Sequence, residues 1–196
     1  MNKKLINFEE YLKKDINVHI NCCENILKDH LKHIVTAAET IIGSLNSGGT
    51  VFWCGNGGSA SDSQHLNAEL IGRFEKDRAP LKSIALTTDT SVITSLSNDY
   101  SYDLVFKRQL QALAKKGDVL IAITTSGKSK NIINVLKEAK EKNIKTISFL
   151  GKDGGEAKDF SDIKIIVPSD STARIQEMHI MIGQMICSLV EKDIFK

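Results

Sequence analysis

One segment decides the fold of this chain: Thr50-Val51-Phe52-Trp53-Cys54-Gly55-Asn56-Gly57-Gly58-Ser59-Ala60-Ser61. Its first part is a short apolar run, which is typical of a buried strand. The three glycines that follow allow a tight turn and a close approach of the backbone to a ligand. Ser59 can then open a helix, whose first free N–H groups favour a bound anion. The segment therefore predicts a strand, a ligand-binding turn and a helix.

The helix predicted after this turn carries two groups that can do chemistry. It continues as Asp62-Ser63-Gln64-His65-Leu66-Asn67-Ala68-Glu69. Four residues apart on a helix, His65 and Glu69 fall on one face, where an imidazole and a carboxylate can converge on a metal or a substrate. The same spacing also occurs in solvated surface pairs, and Gly55-x-Gly57-x-x-Ala60 also fits a dinucleotide-binding turn. The segment by itself leaves these alternatives open.

Composition places the chain among soluble globular proteins that bind a small ligand. The 196 residues are 41% hydrophobic and 26% charged, and no linker divides them, so we expect one domain over residues 1–196. A net charge of +2 gives no electrostatic basis for binding nucleic acid or membrane. The sequence has no signal peptide and no run of ~18 apolar residues, which predicts a cytoplasmic protein. Without C-x-x-C spacing, the cysteines are expected to be free buried thiols (Cys22, Cys23, Cys54 and Cys187).

Helical and strand patterns alternate along the rest of the chain. Residues 1–48 fit two helices, which is more helix than a small sheet needs, so we expect part of this surface to pack against other subunits. Residues 49–196 form the predicted α/β core. After the first strand, we predict strands at 83–87, 119–124, 144–150 and 163–167, and helices at 89–96, 102–115, 130–142 and from Ser171. Continuous apolar strands between helices predict a three-layer, doubly wound parallel sheet of five strands in the order 2-1-3-4-5.

The turns after the first and third strands carry most of the polar groups that can bind a ligand. In a sheet of order 2-1-3-4-5 the switch point lies between these two strands, and ligands bind beyond their carboxyl ends. We therefore expect the turn at 55–61 and the turn at 124–129 to face one another across one crevice. The second turn reads Thr124-Thr125-Ser126-Gly127-Lys128-Ser129 and offers hydroxyls and helix-start N–H groups to one phosphate.

The second turn also has the composition of a hydroxyl-rich helix cap and part of the pattern of a nucleotide site. A cap is common in such positions. Gly127-Lys128-Ser129 matches the end of a Walker A loop, but that loop needs a glycine where Ala122 stands, which excludes a nucleotide triphosphatase. A dinucleotide enzyme needs an acidic residue at the end of strand two, where Thr87 and Thr88 precede Asp89. A phosphorylated sugar fits the two turns better, with Asn56, Asn98, Asp99 and Gln176 available for its hydroxyl groups.

Taken as a set, these motifs resemble those of the sugar isomerase (SIS) domain family, and within it the phosphoheptose isomerases. The resemblance covers essentially the whole chain and rests on Cys54-Gly55-Asn56-Gly57-Gly58-Ser59, His65 with Glu69, Gly72-Arg73, Asn98-Asp99, Thr125-Ser126-Gly127, residues 151–155 and Arg174-Ile175-Gln176-Glu177. It implies an aldose-ketose isomerase that converts sedoheptulose 7-phosphate to D-glycero-D-manno-heptose 7-phosphate through an enediol, with Glu69 as the base. The product would feed nucleotide-activated heptose for lipopolysaccharide or capsule.

The resemblance also implies a homotetramer, a substrate site and a zinc ion. The implied substrate-binding residues are Asn56, Gly57, Gly58, Glu69, Asn98, Asp99, Thr124, Thr125, Ser126, Ser129 and Gln176. The implied zinc ligands are His65, Glu69 and Gln176, with a fourth position that is a histidine in the family and Gln184 in this chain.

Gln184 is the one serious departure from the family pattern. His179 on the same helix has two interpretations. It either replaces the family histidine in proton transfer or is a histidine packed against a neighbour. The departure also leaves open a non-catalytic alternative, a SIS-domain binding protein of the type that associates with the bacterial replication initiator. Glu69 argues against this alternative, because a binding scaffold does not need a base at that position.

Overall fold

The structure, a computed structural model, describes residues 7–196. Two long helices come first, as the apolar periodicity predicts, and their bounds are α1 (Phe8–Asp29) and α2 (Leu31–Asn46). The α/β part then follows as β1 (Val51–Gly55), α3 (Gly58–Ile71), β2 (Ser83–Ala85), α4 (Thr90–Asp99), α5 (Val105–Leu113), β3 (Val119–Thr124), α6 (Lys130–Glu141), β4 (Lys145–Gly151), β5 (Ile163–Val167) and α7 (Thr172–Ile194). Short 3-10 turns at Tyr102–Leu104 and Glu156–Phe160 complete the element order.

The five strands form one parallel sheet in the order β2-β1-β3-β4-β5, which confirms the predicted topology. β1 pairs with β2 on one side and with β3 on the other, so that Trp53 lies between Ala85 and Ile121. All residues of β1 and β3 are buried. The order reverses between β1 and β3, and the predicted switch point is therefore present.

Alternate residues of β1 pack into two separate apolar cores, one on each face of the sheet. Val51 and Trp53 face a core that is shared with α2, α3 and α7. Phe52 and Cys54 face a second core that is shared with α5 and α6. Strands covered on both faces need apolar residues at every position, which explains the unbroken apolar runs in the sequence.

The first helix contacts the rest of the chain through one short stretch and leaves most of its apolar surface exposed. Only Cys22 and Ile26 are buried within the described part of α1. Phe8, Leu12 and Ile16 are more than half exposed. The helix is tied to α7 by an ion pair between Asp15 and Arg174 and by a hydrogen bond between His19 and Glu177.

The predicted element bounds needed correction at three places. The helix predicted over 89–96 continues to Asp99 as α4. The second strand ends at Ala85, not Thr87, because Thr88 donates its hydroxyl to the carbonyl of Ala85 and turns the chain. The helix predicted over 102–115 begins as a 3-10 turn and is α-helical only over Val105–Leu113. The four cysteines form no disulfides with one another, and Cys23 is only half-buried. No helix in the described range 7–196 is long and apolar enough to cross a membrane.

Candidate functional site

The turns after β1 and β3 lie side by side at the switch point and are joined by a pair of asparagines. Asn56 donates from Nδ2 to Oδ1 of Asn131 at 2.9 Å, and Asn131 donates back to Oδ1 of Asn56 at 2.8 Å. Tyr102 donates its hydroxyl to the same oxygen of Asn56 at 2.9 Å. The structure therefore brings the two sequence-predicted turns into one crevice. Asn131 and Tyr102 were not recognised from the sequence, because no local pattern marks a contact between residues 46 and 75 positions apart.

The turn after β3 keeps several hydrogen-bonding groups available for a ligand. Ser129 is the N-cap residue of α6, yet its hydroxyl makes no capping bond to the helix backbone. Ser126 accepts from the N–H of Lys128 at 3.2 Å, which leaves its O–H to donate. Thr124 is 4% exposed and accepts from Gly127 N at 3.3 Å, so its hydroxyl braces the turn. With Thr125 half-buried beside them, these groups make up the turn predicted as a phosphate cradle, and phosphate binding there stays a prediction.

A second glycine-rich loop holds this cradle in place. Gly127 has a φ of +63°, and a Cβ there would lie 2.0 Å from the carbonyl oxygen of Gly154. Gly155 packs against Gly127 from the other side, and Ala157 donates its N–H to the carbonyl of Gly127 at 2.9 Å. The loop at 151–155, which the sequence marked as part of the family motif, thus supports the cradle through close backbone packing.

The predicted base Glu69 and the predicted metal ligand His65 lie on α3, about three and two helical turns after its first residue, Gly58. Nε2 of His65 lies 2.9 Å from Oε1 of Glu69. The side chain of Glu69 is 20% exposed and that of His65 51% exposed, so both are open to a ligand while the carboxylate is the more sheltered. One turn earlier, burial raises the pKa of Asp62, against the effect of nearby His65, and Oδ2 of Asp62 is buried without a partner among the described residues.

Helix α7 runs beside α3 in the same direction and brings Gln176 to the first glycine-rich turn. A Cβ on Gly58 would lie 2.4 Å from Nε2 of Gln176, so the two residues are in close contact. Further along, Gly183 allows the equally close approach of Leu66. Two of the predicted ligands, Glu69 and Gln176, thus lie on neighbouring helices.

Gln184 lies on a different face of α7 from Gln176, which contacts Gly58. It lines an apolar groove on the outer side of α7, together with Leu31, Phe74 and Met185. Within residues 7–196 the structure contains no cluster of three or more histidine, cysteine or acidic side chains that could hold a metal ion. The ligands predicted for zinc therefore comprise one imidazole, one carboxylate and the glutamine amides, and zinc binding stays a prediction.

Asn98 and Asp99 lie in the last turn of α4 and are exposed. Nδ2 of Asn98 donates to Oδ1 of Asp99 at 2.9 Å. Their hydrogen bond joins them to each other and not to either turn. Their role in substrate binding stays a prediction.

His179 is a core residue. It is fully buried, and its Nε2 lies 3.0 Å from the carbonyl oxygen of Leu150, to which it donates. Burial lowers the pKa of His179 to about 4, and its Nδ1 has no partner among the described residues. A neutral imidazole sealed from solvent cannot exchange protons with a substrate in the crevice. These contacts support the packed alternative for His179.

Sequence reasoning missed a buried ion pair that fixes the end of α3. Arg78 donates from Nε to Oε2 of Glu191 at 2.9 Å, and the two side chains are 2% and 1% exposed. The same guanidinium donates to the carbonyl oxygens of Glu69 and Leu70, each at 2.7 Å. A signal was present, since Glu191 follows the buried Cys187 by one helical turn on the core side of α7.

Comparisons with known proteins agree with this arrangement. The SIS domain family model matches residues 16–151. A phosphoheptose isomerase of Nitratiruptor is 50% identical over 93% of this chain and 98% of its own length. One of Clostridium acetobutylicum is 50% identical over 95% of this chain and 96% of its own length. Solved phosphoheptose isomerases of Neisseria gonorrhoeae and Francisella tularensis superpose with TM-scores of 0.90 and 0.92, at 38% and 34% identity, over 95% of this chain and all of theirs. The chain therefore belongs to the phosphoheptose isomerases of the SIS domain family.

Proposed function

We propose that this chain converts sedoheptulose 7-phosphate to D-glycero-D-manno-heptose 7-phosphate. The observation that carries the proposal is the switch point, where the proposed phosphate cradle after β3 is joined to the turn of Asn56 by paired amide hydrogen bonds. The cradle suits the 7-phosphate, and the carboxylate of Glu69 suits proton transfer at the other end of the sugar. The high identity to phosphoheptose isomerases over nearly the whole chain supports the same reaction.

In the proposed mechanism, Glu69 moves one proton between the first two carbons of the sugar. Its carboxylate removes a proton from C1 of the ketose, the C–H electron pair forms the C1–C2 double bond, and the C2 carbonyl oxygen takes up a proton. The resulting enediol then gains a proton at C2 while the C1 hydroxyl loses one and becomes the aldehyde. The backbone carbonyl of Glu69 is held by Arg78, so the base is carried on a fixed helix end.

Phosphate binding is assigned to the cradle after β3. The free hydroxyls of Ser126 and Ser129 donate to phosphate oxygens, and the first N–H groups of α6 add the favourable end of the helix dipole. Thr124 acts indirectly, since it holds the turn through Gly127. Asn98 and Asp99 are retained as candidates for the sugar hydroxyls.

The donor atoms fit a weak zinc site. His65 supplies a nitrogen 2.9 Å from Glu69, and the amide of Gln176 packs closely against Gly58. His65, Glu69 and Gln176 would hold the ion, with Gln184 as the weakest donor, because zinc prefers nitrogen and sulfur ligands to amide oxygen. When bound, zinc would polarise the carbonyl and hydroxyl oxygens of the substrate.

A homotetramer is the proposed assembly. The exposed apolar residues of α1 and the apolar groove between α2 and α7 support burial against further copies of the chain. The cytoplasmic location expected from the sequence stays a prediction.

The proposed function is tested by the Glu69→Gln variant in an assay that detects aldose formed from sedoheptulose 7-phosphate. We expect the wild-type chain to produce the aldose and the variant to lose turnover while it still binds the sugar phosphate in calorimetry. Glu141→Gln, an exposed change at the end of α6, is the matched control and keeps wild-type activity. Near-native turnover of Glu69→Gln would remove Glu69 from the role of base. Binding without turnover by the wild-type chain would favour the non-catalytic binding protein.

A further inference from the structure

The orientation of the Asn56 amide is fixed by a chain of hydrogen bonds that begins at a backbone group. Ile132 N donates to Oδ1 of Asn131 at 3.0 Å. A backbone N–H can only donate, so the atom of Asn131 that it meets is the oxygen. The same oxygen accepts from Nδ2 of Asn56, and the other end of the Asn131 amide donates to Oδ1 of Asn56.

This chain of bonds uses both acceptor sites of the Asn56 oxygen. One is occupied by Asn131 at 2.8 Å and the other by the Tyr102 hydroxyl at 2.9 Å. Nδ2 of Asn56 carries two N–H groups, and among residues 7–196 only one of them has a partner. What remains for a ligand is a single N–H donor. Asn131 is 3% exposed, so its side of the pair is shielded from water.

We propose that Asn131 and Tyr102 are positioning residues that make Asn56 a hydrogen-bond donor to the sugar phosphate. Asn56 then recognises an oxygen that accepts a hydrogen bond, and it cannot turn its own oxygen toward a substrate hydroxyl without breaking two hydrogen bonds. The inference rests on the proposed function, because it assigns the ligand of this amide as the sugar phosphate.

The same contacts couple the two halves of the crevice. Asn131 lies in the first turn of α6, directly after the phosphate cradle, while Asn56 belongs to the turn after β1. Tyr102 reaches Asn56 from the 3-10 turn before α5. A change at Asn131 or Tyr102 should therefore affect how the sugar is held more than how the phosphate is held.

The test measures the sugar and the phosphate separately. For Asn131→Ala and Tyr102→Phe we expect the Michaelis constant for sedoheptulose 7-phosphate to rise about two- to tenfold, the range for one or two neutral hydrogen bonds. The inhibition constant of inorganic phosphate should stay within about twofold of wild type, because the cradle keeps its own groups. Gln111→Ala removes a comparable hydrogen bond, from the amide of Gln111 on α5 to Glu138 on α6 at 2.9 Å, and is expected to change neither constant.

A double-mutant cycle with Asn56→Ala decides between positioning and general support of the fold. If Asn131 acts through Asn56, adding Asn131→Ala to Asn56→Ala raises the Michaelis constant no further. The proposal would be overturned if the effects of Asn56→Ala and Asn131→Ala on the Michaelis constant were additive. It would also be overturned if both single variants, Asn131→Ala and Tyr102→Phe, kept the wild-type Michaelis constant, or if they weakened inhibition by phosphate as much as they raised that constant. Tyr102→Phe keeps the aromatic ring on a half-exposed side chain, so it provides a folded variant if Asn131→Ala is unstable. If the wild-type chain proves inactive, the same cycle is read from calorimetric binding of the sugar phosphate, which separates failure of this proposal from failure of the proposed reaction.

Discussion

Replacing Glu191 with alanine should cost more stability than any surface charge change in this chain. Glu191 is 1% exposed and its two carboxylate oxygens accept four hydrogen bonds. Oε1 accepts from the N–H groups of Glu75 and Lys76, each at 2.8 Å, and Oε2 accepts from Phe74 N at 3.1 Å and from Arg78 Nε at 2.9 Å. Alanine would leave the buried guanidinium without its counter-charge.

The size of the loss follows from these contacts. Breaking a buried ion pair by removing one partner costs about 3–5 kcal/mol, because the remaining charge stays buried and unpaired. The exposed segment at Glu75 and Lys76 can recover hydrogen bonds from water, so the freed backbone groups add little to the loss of stability.

The ion pair of Glu191 and Arg78 also links the stability of the fold to pH. Burial would raise the pKa of Glu191, but hydrogen bonds from the three backbone N–H groups and from Arg78 outweigh this and hold the pKa below its usual value of 4.5. The contribution is therefore present above about pH 4.5 and is lost as the pH falls through the lowered pKa.

Urea unfolding followed by circular dichroism, at one fixed protein concentration, measures the loss. Lys192→Ala is the matched control, because it removes the neighbouring surface ion pair to Glu75 at 3.7 Å, whose side chains are 60% and 55% exposed. We expect the control to lose at most ~1 kcal/mol. A Glu191→Ala variant that stays within ~1 kcal/mol of wild type would refute the assignment of Glu191 and Arg78 as a stabilising pair.

Three further predictions concern the site and its surroundings. Ser126→Ala with Ser129→Ala removes two bonds to a charged group, each worth ~1.5–3 kcal/mol, so the Michaelis constant should rise tenfold or more; an unchanged constant in a folded variant would place the phosphate elsewhere. Gln184→His should tighten zinc binding, measured by metal content and competition with a chelator, and should raise turnover; no change in either would exclude position 184 from the metal site. Because the pKa of His179 falls from 6.5 to about 4 on folding, wild-type stability should decline as the pH drops from 6.5 to 4, and His179→Gln should flatten this dependence in urea titrations at several pH values.

The fold was predictable because its determinants are local and repeated. Each strand buried on both faces must be apolar at every position, and each helix must present an apolar stripe, so the alternation of the two patterns along the chain specifies a doubly wound sheet. The turn glycines add positional information, since Gly127 and Gly155 have positive φ values that other residues rarely adopt. The end of β2 was less predictable, because a single hydroxyl of Thr88 decides where the strand stops.

The site was only partly predictable, because its geometry depends on contacts between distant residues. Gln176 and Gly183 face α3, as their contacts with Gly58 and Leu66 show. Position 184 lies eight residues after Gln176, which rotates it about 80° around the helix. This rotation places it at the edge of the contact between the two helices, where its side chain lines the groove beside Phe74. The sequence motif alone cannot distinguish a side chain turned toward Glu69 from one turned toward the groove, because both share the same spacing.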